Sequence, residues 1–227
     1  ASLHGILRDN KELRLSGGHQ EHISFEIASV NGQIRFYVWV PKTLQSFVEG
    51  QIYSQYPTVQ IHQADEDYTE HERDHEVAYS TELTLTTDEF LPIRTFQNFE
   101  VDPLAGITGT LAKLETTGEE LWIQVLVRPI PDDWQNAADR YINSIKNGRM
   151  FSLPGFGGSM QWLIGVLGAL WQPPEQGVGQ STKIELSDRD KTRISEAEKK
   201  ATKLGYEVKI RLVYMGESQT NAKLRMQ

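Results

Sequence analysis

Residues 20–68 constrain the fold more than any other stretch, because they follow the pattern strand, turn, strand, helix, strand without a gap. Apolar and polar residues alternate from 23 to 27, and the alternation resumes from 34 to 40. Between these runs, Asn31-Gly32 is a preferred pair for the two-residue type I′ turn that joins antiparallel strands. We therefore predict a β-hairpin.

A helix and a further strand are predicted after the hairpin. Thr43 is the predicted N-cap, and Pro57 is expected to end the helix before a strand that begins at Val59 and Ile61. The apolar face of this helix is predicted to contain Leu44, Phe47, Val48, Ile52 and Tyr56. The order ββαβ makes up most of a ferredoxin-like unit.

A similar order returns later in the chain. The predicted elements are a strand over 77–86, a helix begun by Asp102-Pro103, a strand over 120–128, a helix capped by Asp132 and Asp133, a helix capped by Ser187, and a strand over 206–214. In the first of these helices we expect Leu104, Ile107, Leu111 and Leu114 to point inward. Gly205 is expected to close the last helix in the left-handed conformation.

These patterns predict an α/β (α+β) protein of two tandem ferredoxin-like, or split βαβ, units with antiparallel sheets. The first unit covers 1–70, an acidic connection covers 71–77, and the second unit covers 78–227 with a hydrophobic insertion at 148–182. The opening ASLHGIL and the closing TNAKLRMQ both have helix-like patterns. We therefore expect the chain to begin and end inside further copies of the same unit.

Composition narrows the expected partners. The 227 residues carry a formal net charge of −8, which argues against broad attraction to phosphate backbones. One face of the second hairpin strand contains Arg35, Tyr37 and Trp39, which could stack on the bases of single-stranded nucleic acid. Packing of these side chains inside the protein is the preferred interpretation. The absence of cysteine excludes a disulfide framework, a thiolate nucleophile and a zinc–thiolate site.

Several segments together resemble a known family. They are HISFEIASVNGQIRFYVWVPKTLQSFVEGQIYSQYPTVQI, LPIRTFQNFEVDPLAGITGTLAKL, EELWIQVLVRP and KLGYEVKIRLVY. This set resembles the region ahead of the motor domain in conjugative-transfer ATPases of the TraG and HerA kind, related to type IV secretion. The resemblance implies a membrane anchor before this region, a P-loop motor after it, and an oligomeric protein at the cytoplasmic side of the membrane.

The motor itself is not expected within this chain. No G-x-x-x-x-G-K-[ST] occurs, so the sequence lacks the loop that cradles nucleotide phosphates. We therefore expect no catalytic residue and no cofactor here, with ATP and Mg²⁺ bound only by a downstream motor domain. The expected role is accessory: positioning the motor and mediating subunit or membrane contacts.

One motif suggests a different class of protein. His71, Glu72 and His75 satisfy H-E-x-x-H, in which two histidines bind zinc and the glutamate activates a metal-bound water. The motif lies in a short charged connection, whereas a zinc-peptidase helix would bury neutral side chains beside it. We interpret it as a solvated acidic turn, and keep a zinc-dependent hydrolase as the alternative function.

The insertion contains an apolar run over 160–171 with tryptophans near both ends. Twelve helical residues rise only about 18 Å, which is too short to cross a bilayer core of about 30 Å. Three interpretations stay open: a lid over the core, a subunit contact, and a shallow insertion into the membrane interface, which would make the chain a peripheral membrane module. The candidate contact residues are Met160, Trp162, Leu163, Ile164, Val166, Leu167, Leu170 and Trp171.

Overall fold

The structure, a computed structural model, describes residues 2–70, 77–95, 98–114, 118–146 and 186–216. Its sheet contains β1 (Ile23–Val30), β2 (Gln33–Trp39), β3 (Val77–Leu83), β4 (Glu120–Pro129) and β5 (Tyr206–Gly216). The spatial order is β2-β1-β4-β5-β3, and all neighbouring strands are antiparallel. The prediction of a mixed α/β fold with an antiparallel sheet is confirmed.

The predicted hairpin forms the edge of this sheet. Asn31 and Gly32 have φ angles of 52° and 71°, the positive values that a type I′ turn requires. Beyond the turn, Val30 faces Gln33 and Ile27 faces Phe36. The sequence pattern therefore predicted both the turn and the pairing of β1 with β2.

Five α-helices accompany the sheet in the described part of the chain. They are α1 (Asn10–Leu15), α2 (Gln45–Gln55), α3 (Pro103–Ala112), α4 (Gln135–Lys146) and α5 (Asp188–Ala201). A 3₁₀ turn over Asp132–Trp134 leads into α4. Two predicted caps are confirmed, because Asp102 accepts the backbone N–H of Leu104 at 2.9 Å and Ser187 accepts that of Asp190 at 3.2 Å.

The structure corrects several local predictions. Thr43 does not cap α2, because Pro41 leads into a 3₁₀ turn over Lys42–Leu44 that already includes Thr43. Gly205 does not have a positive φ, and α5 instead ends at Thr202 in right-handed geometry. Residues 59–61 form no strand. The segment after α2 is irregular as far as Tyr68, and the buried side chain of Tyr68 anchors this segment to the sheet.

The two predicted ferredoxin-like units are not confirmed. Strands from both predicted units share one sheet, and β1 pairs directly with β4, so that Ile27 faces Ile123. Alternation along a strand specifies which face is buried but not which strand lies alongside, so the sequence did not reveal this pairing.

Contacts divide the chain into two compact units. One compact unit consists of Ala1–Glu89, Ile93–Asp132 and Leu204–Gln227, and it contains the whole sheet. The other consists of Phe90–Pro92 and Asp133–Lys203. In that smaller unit α4 and α5 pack through a buried set made of Ile142, Ile194 and Ala197.

One face of the sheet packs against α3 and forms a buried core cluster, and we call it the helix-covered face. Leu111 and Leu114, at the end of α3 and just beyond it, pack with Leu121 and Tyr214 of the sheet, and all four are buried. Ile107 packs against this cluster as predicted. Leu104 was predicted to point inward and is instead exposed, because it lies in the first turn of α3.

Candidate functional site

The opposite face of the sheet carries a continuous polar row, and we call it the polar face. The strand register pairs Tyr37 with Glu26 and Glu26 with Gln124. It then pairs Gln124 with Arg211 and Arg211 with Glu82. Residues that face each other across antiparallel strands lie on the same side of the sheet. The row therefore crosses all five strands.

Tyr68 closes over the middle of this row and buries a carboxylate. Its hydroxyl donates to Oε2 of Glu26, and both residues are only 9% exposed. Gln124 Nε2 donates to the Tyr68 hydroxyl at 2.9 Å and to Oε2 of Glu26 at 3.4 Å. A buried carboxylate is costly unless it accepts hydrogen bonds, so these donors stabilise Glu26 in its position.

The hydroxyl of Tyr68 is held in its protonated form. Burial raises the pKa of Tyr68 well above its ordinary value, and the hydrogen bond to Glu26 raises that pKa further. At neutral pH Tyr68 is therefore a hydrogen-bond donor and not a base.

Aromatic neighbours fix the ring of Tyr68. Tyr37 stacks on it with the ring centroids 4.7 Å apart, and Trp122 meets it edge-on at 5.0 Å. The indole N–H of Trp122 donates to Oε2 of Glu120 at 3.1 Å, which fixes that ring in turn. Ala28 and Val30 of β1 complete the same buried cluster.

An open pocket of about 350 Å³ lies between β2 and the segment that carries Tyr68. Its walls include Glu26, Tyr37, Trp39, Glu66, Asp67 and Tyr68. Trp39 is 46% exposed, and its ring stacks on the His22 ring with the centroids 4.9 Å apart. Three carboxylic side chains and three aromatic rings thus surround one cavity.

The acidic lining of the pocket argues against the alternative interpretation of Tyr37 and Trp39 as a stacking surface for nucleic acid. Tyr37 and Trp39 do lie together on one face of β2, as the alternation predicted. However, the carboxylates of Glu26, Glu66 and Asp67 share their pocket and would repel a phosphate backbone. The geometry favours a ligand that is not anionic.

A family model described as "Domain of unknown function (DUF8128)" matches residues 2–227. The chain belongs to this family. No curated protein and no solved structure matches the chain. Because the match includes β1, β2, β4 and the segment with Tyr68, the whole pocket lies within the matched DUF8128 region.

The other candidate sites of this DUF8128 chain lie outside the described residues. These are the H-E-x-x-H motif of His71, Glu72 and His75, and the apolar run over 160–171. Both stay predictions. Among the ranges that the structure describes, no three His, Asp or Glu residues are grouped to hold a metal ion. The helices within those ranges are all too short or too polar to cross a membrane.

Sequence reasoning did not predict Glu26, Tyr68 or Gln124 as a site in this DUF8128 domain. The alternation in β1 placed Glu26 opposite the apolar side chains, as a solvent-facing residue would be. One signal was present, because Tyr68 is the only Phe, Tyr or Trp between residues 57 and 78. A single large ring in a polar segment favours an anchor that packs on a neighbouring element.

Proposed function

We propose that this chain is a non-catalytic accessory domain of a membrane-anchored, conjugative-transfer-like ATPase, where it positions the motor and makes subunit contacts. The proposal is supported by the resemblance of the hairpin and later strand segments to the region ahead of such motors. On this proposal the domain lies at the cytoplasmic side of the membrane. ATP and Mg²⁺ belong to the downstream motor.

The observation that carries a contact role is the exposed apolar edge at β2. Phe36 is 67% exposed, and Val38 and Trp39 of the same strand are also exposed. β2 is an edge strand, and on its outer side it has no partner strand in the described ranges. Such an edge presents unpaired backbone groups together with apolar side chains, which favours pairing with another chain.

The opposite edge of the sheet differs in charge. On β3, Glu82 pairs with Lys209 at 3.3 Å and with Arg211 at 3.5 Å. Charged side chains at an edge oppose strand-to-strand association. This contrast favours β2 over β3 as the contact edge.

A matched pair of variants tests the contact. Sedimentation of the 227-residue chain from low to high micromolar concentration should show association that Phe36→Lys abolishes. Leu83→Lys is the control, because it places the same charge at an exposed apolar position on β3. Equal effects of the two variants, or a wild-type chain that stays monomeric, would contradict a contact at β2.

The link to a motor is tested by the intact mass of the native polypeptide. Antibody capture from the source cells, followed by mass spectrometry, should find a product much larger than 25.8 kDa with a P-loop peptide after Gln227. A product that ends near Gln227 would reject the accessory role in a motor protein.

A further inference from the structure

We infer that the pocket beside β2 binds the cationic end of an arginine or lysine side chain from the partner chain that docks on this edge. The inference rests on the proposed contact at β2, and it specifies the chemistry that the partner must carry. Charge, ring geometry and strand geometry each support it.

The first support is charge. Glu26, Glu66 and Asp67 line the pocket, and its described lining includes no lysine or arginine. Tyr68 and Gln124 both donate to Oε2 of Glu26, which leaves Oε1 as an acceptor among the described residues. A guanidinium or ammonium group placed here would gain a charge-assisted hydrogen bond from a carboxylate that is already desolvated.

The second support is the aromatic lining. A cation within about 6 Å of an aromatic ring face is attracted by the negative potential of that face. Tyr37 and Trp39 supply two such rings on the β2 side of the pocket. Tyr68 stacks on Tyr37, and His22 stacks on Trp39, so the rotation of the Tyr37 and Trp39 rings is limited. The combination of fixed rings and carboxylates is typical of sites for organic cations.

The third support is strand geometry. A strand that pairs with the outer side of β2 would place every second side chain on the polar face. Tyr37 and Trp39 lie on that face, at the side of the pocket nearest the outer edge. A cavity of about 350 Å³ is large enough for the end of one arginine side chain. The docked strand would thus deliver its cation directly into the pocket.

The test uses N-acetyl-arginine amide as the probe and N-acetyl-citrulline amide as its uncharged control of the same shape. Binding is followed through the indole N–H resonance of Trp39, which is identified among the five tryptophans by its loss in Trp39→Phe. We expect the arginine probe to bind at least about tenfold more tightly than citrulline, since only the arginine probe can donate a charge-assisted hydrogen bond to the carboxylates. Added salt should weaken the arginine probe only. Equal binding of the two probes would overturn the inference.

Variants locate the binding. Glu26→Gln should weaken the arginine probe about tenfold. Glu66→Gln, at an exposed position where folding is not at risk, should weaken it by a factor of about two. Glu207→Gln is the control, because it removes the same charge at an exposed position outside the pocket. The Glu207 carboxylate pairs with Arg128. If Glu207→Gln weakens binding as much as Glu66→Gln, the pocket is not the site.

Two further experiments complete the test. One distinguishes a cation on a partner chain from a free small molecule, and the other distinguishes failure of the pocket inference from failure of the contact at β2. An extended peptide with one arginine should bind at least tenfold more tightly than the free arginine probe. Tighter binding of spermidine than of this peptide would instead indicate a free small molecule and overturn the partner assignment. Association through β2 without arginine binding would reject the pocket inference alone, whereas arginine binding by a strictly monomeric chain would reject the contact.

Discussion

The two faces of the sheet each contain a buried glutamate that accepts a hydrogen bond from a buried tyrosine, yet their surroundings differ. On the helix-covered face, the Tyr214 hydroxyl donates to Oε1 of Glu119 at 2.7 Å, and Tyr214 is fully buried. On the polar face, Tyr68 donates to Glu26 in the wall of an open pocket. The same chemical pair is enclosed in one place and accessible in the other.

The difference arises from what covers each face. The regular helix α3 supplies Leu111, and the residue just beyond its end supplies Leu114, so that apolar packing against Tyr214 seals this pair. An irregular segment supplies Tyr68 over Glu26 and leaves a cavity beside it. We therefore expect the enclosed pair to serve stability and the accessible pair to serve binding.

The largest expected effect comes from crowding the enclosed pair. A Cβ at position 216 would lie 2.6 Å from Cζ of Tyr214, which cannot move away easily because its ring is fully buried. Gly216→Ala should lower the free energy of unfolding by about 3 kcal/mol, measured by urea denaturation. Gly109→Ala in α3 is the control, since nothing lies within 4 Å of its Cβ. It should be neutral or stabilising by up to about 1 kcal/mol.

The next effect comes from removing the enclosed hydroxyl. Tyr214→Phe takes one donor from the buried carboxylate of Glu119, and the Tyr214 ring packs among the buried side chains of Leu111, Leu114 and Leu121. The expected loss is about 2 kcal/mol in the free energy of unfolding, from the same denaturation measurement. A loss below about 0.5 kcal/mol would show that this pair is not enclosed.

The same change in the accessible pair should cost less. Tyr68→Phe removes the donor to Glu26, but Gln124 still reaches Oε2 and water in the pocket can replace the hydroxyl. We expect a loss of about 1 kcal/mol at pH 7. A loss larger than that of Tyr214→Phe would contradict the distinction between the two pairs.

The stability difference between wild type and Tyr68→Phe should depend on pH. The pKa of Tyr68 is raised in the folded state by burial, so the unfolded chain releases this proton first as the pH rises. The contribution of Tyr68 is therefore fully present below its unfolded pKa of about 10 and decreases above that pH. Denaturation of both proteins from pH 7 to pH 11 measures this, and a difference that stays constant would contradict the buried donor.

The smallest effect on stability is expected at the rim of the pocket. Glu66→Gln changes an exposed side chain and should alter the free energy of unfolding by less than about 0.5 kcal/mol. Its effect on cation binding should still be measurable by the Trp39 resonance. A destabilised Glu66→Gln variant would mean that the rim serves stability as the enclosed pair does.

Sequence patterns predicted the local elements better than the site. Asn31-Gly32 predicted the hairpin and Asp102-Pro103 predicted the start of α3, because both signals act within a few residues. The burial of Glu26 depends on Tyr68, which is 42 residues away, and on Gln124, which is 98 residues away. Alternation along β1 contains no information about such distant partners, so it did not predict the burial of Glu26.

The most direct test of the account compares arginine binding in two variants, Glu26→Gln and Tyr214→Phe. Each alters one of the two pairs, so a titration with N-acetyl-arginine amide measures which pair serves binding. The account predicts about tenfold weaker binding in Glu26→Gln and unchanged affinity in folded Tyr214→Phe. Equal losses in both variants, or no loss in Glu26→Gln, would contradict it.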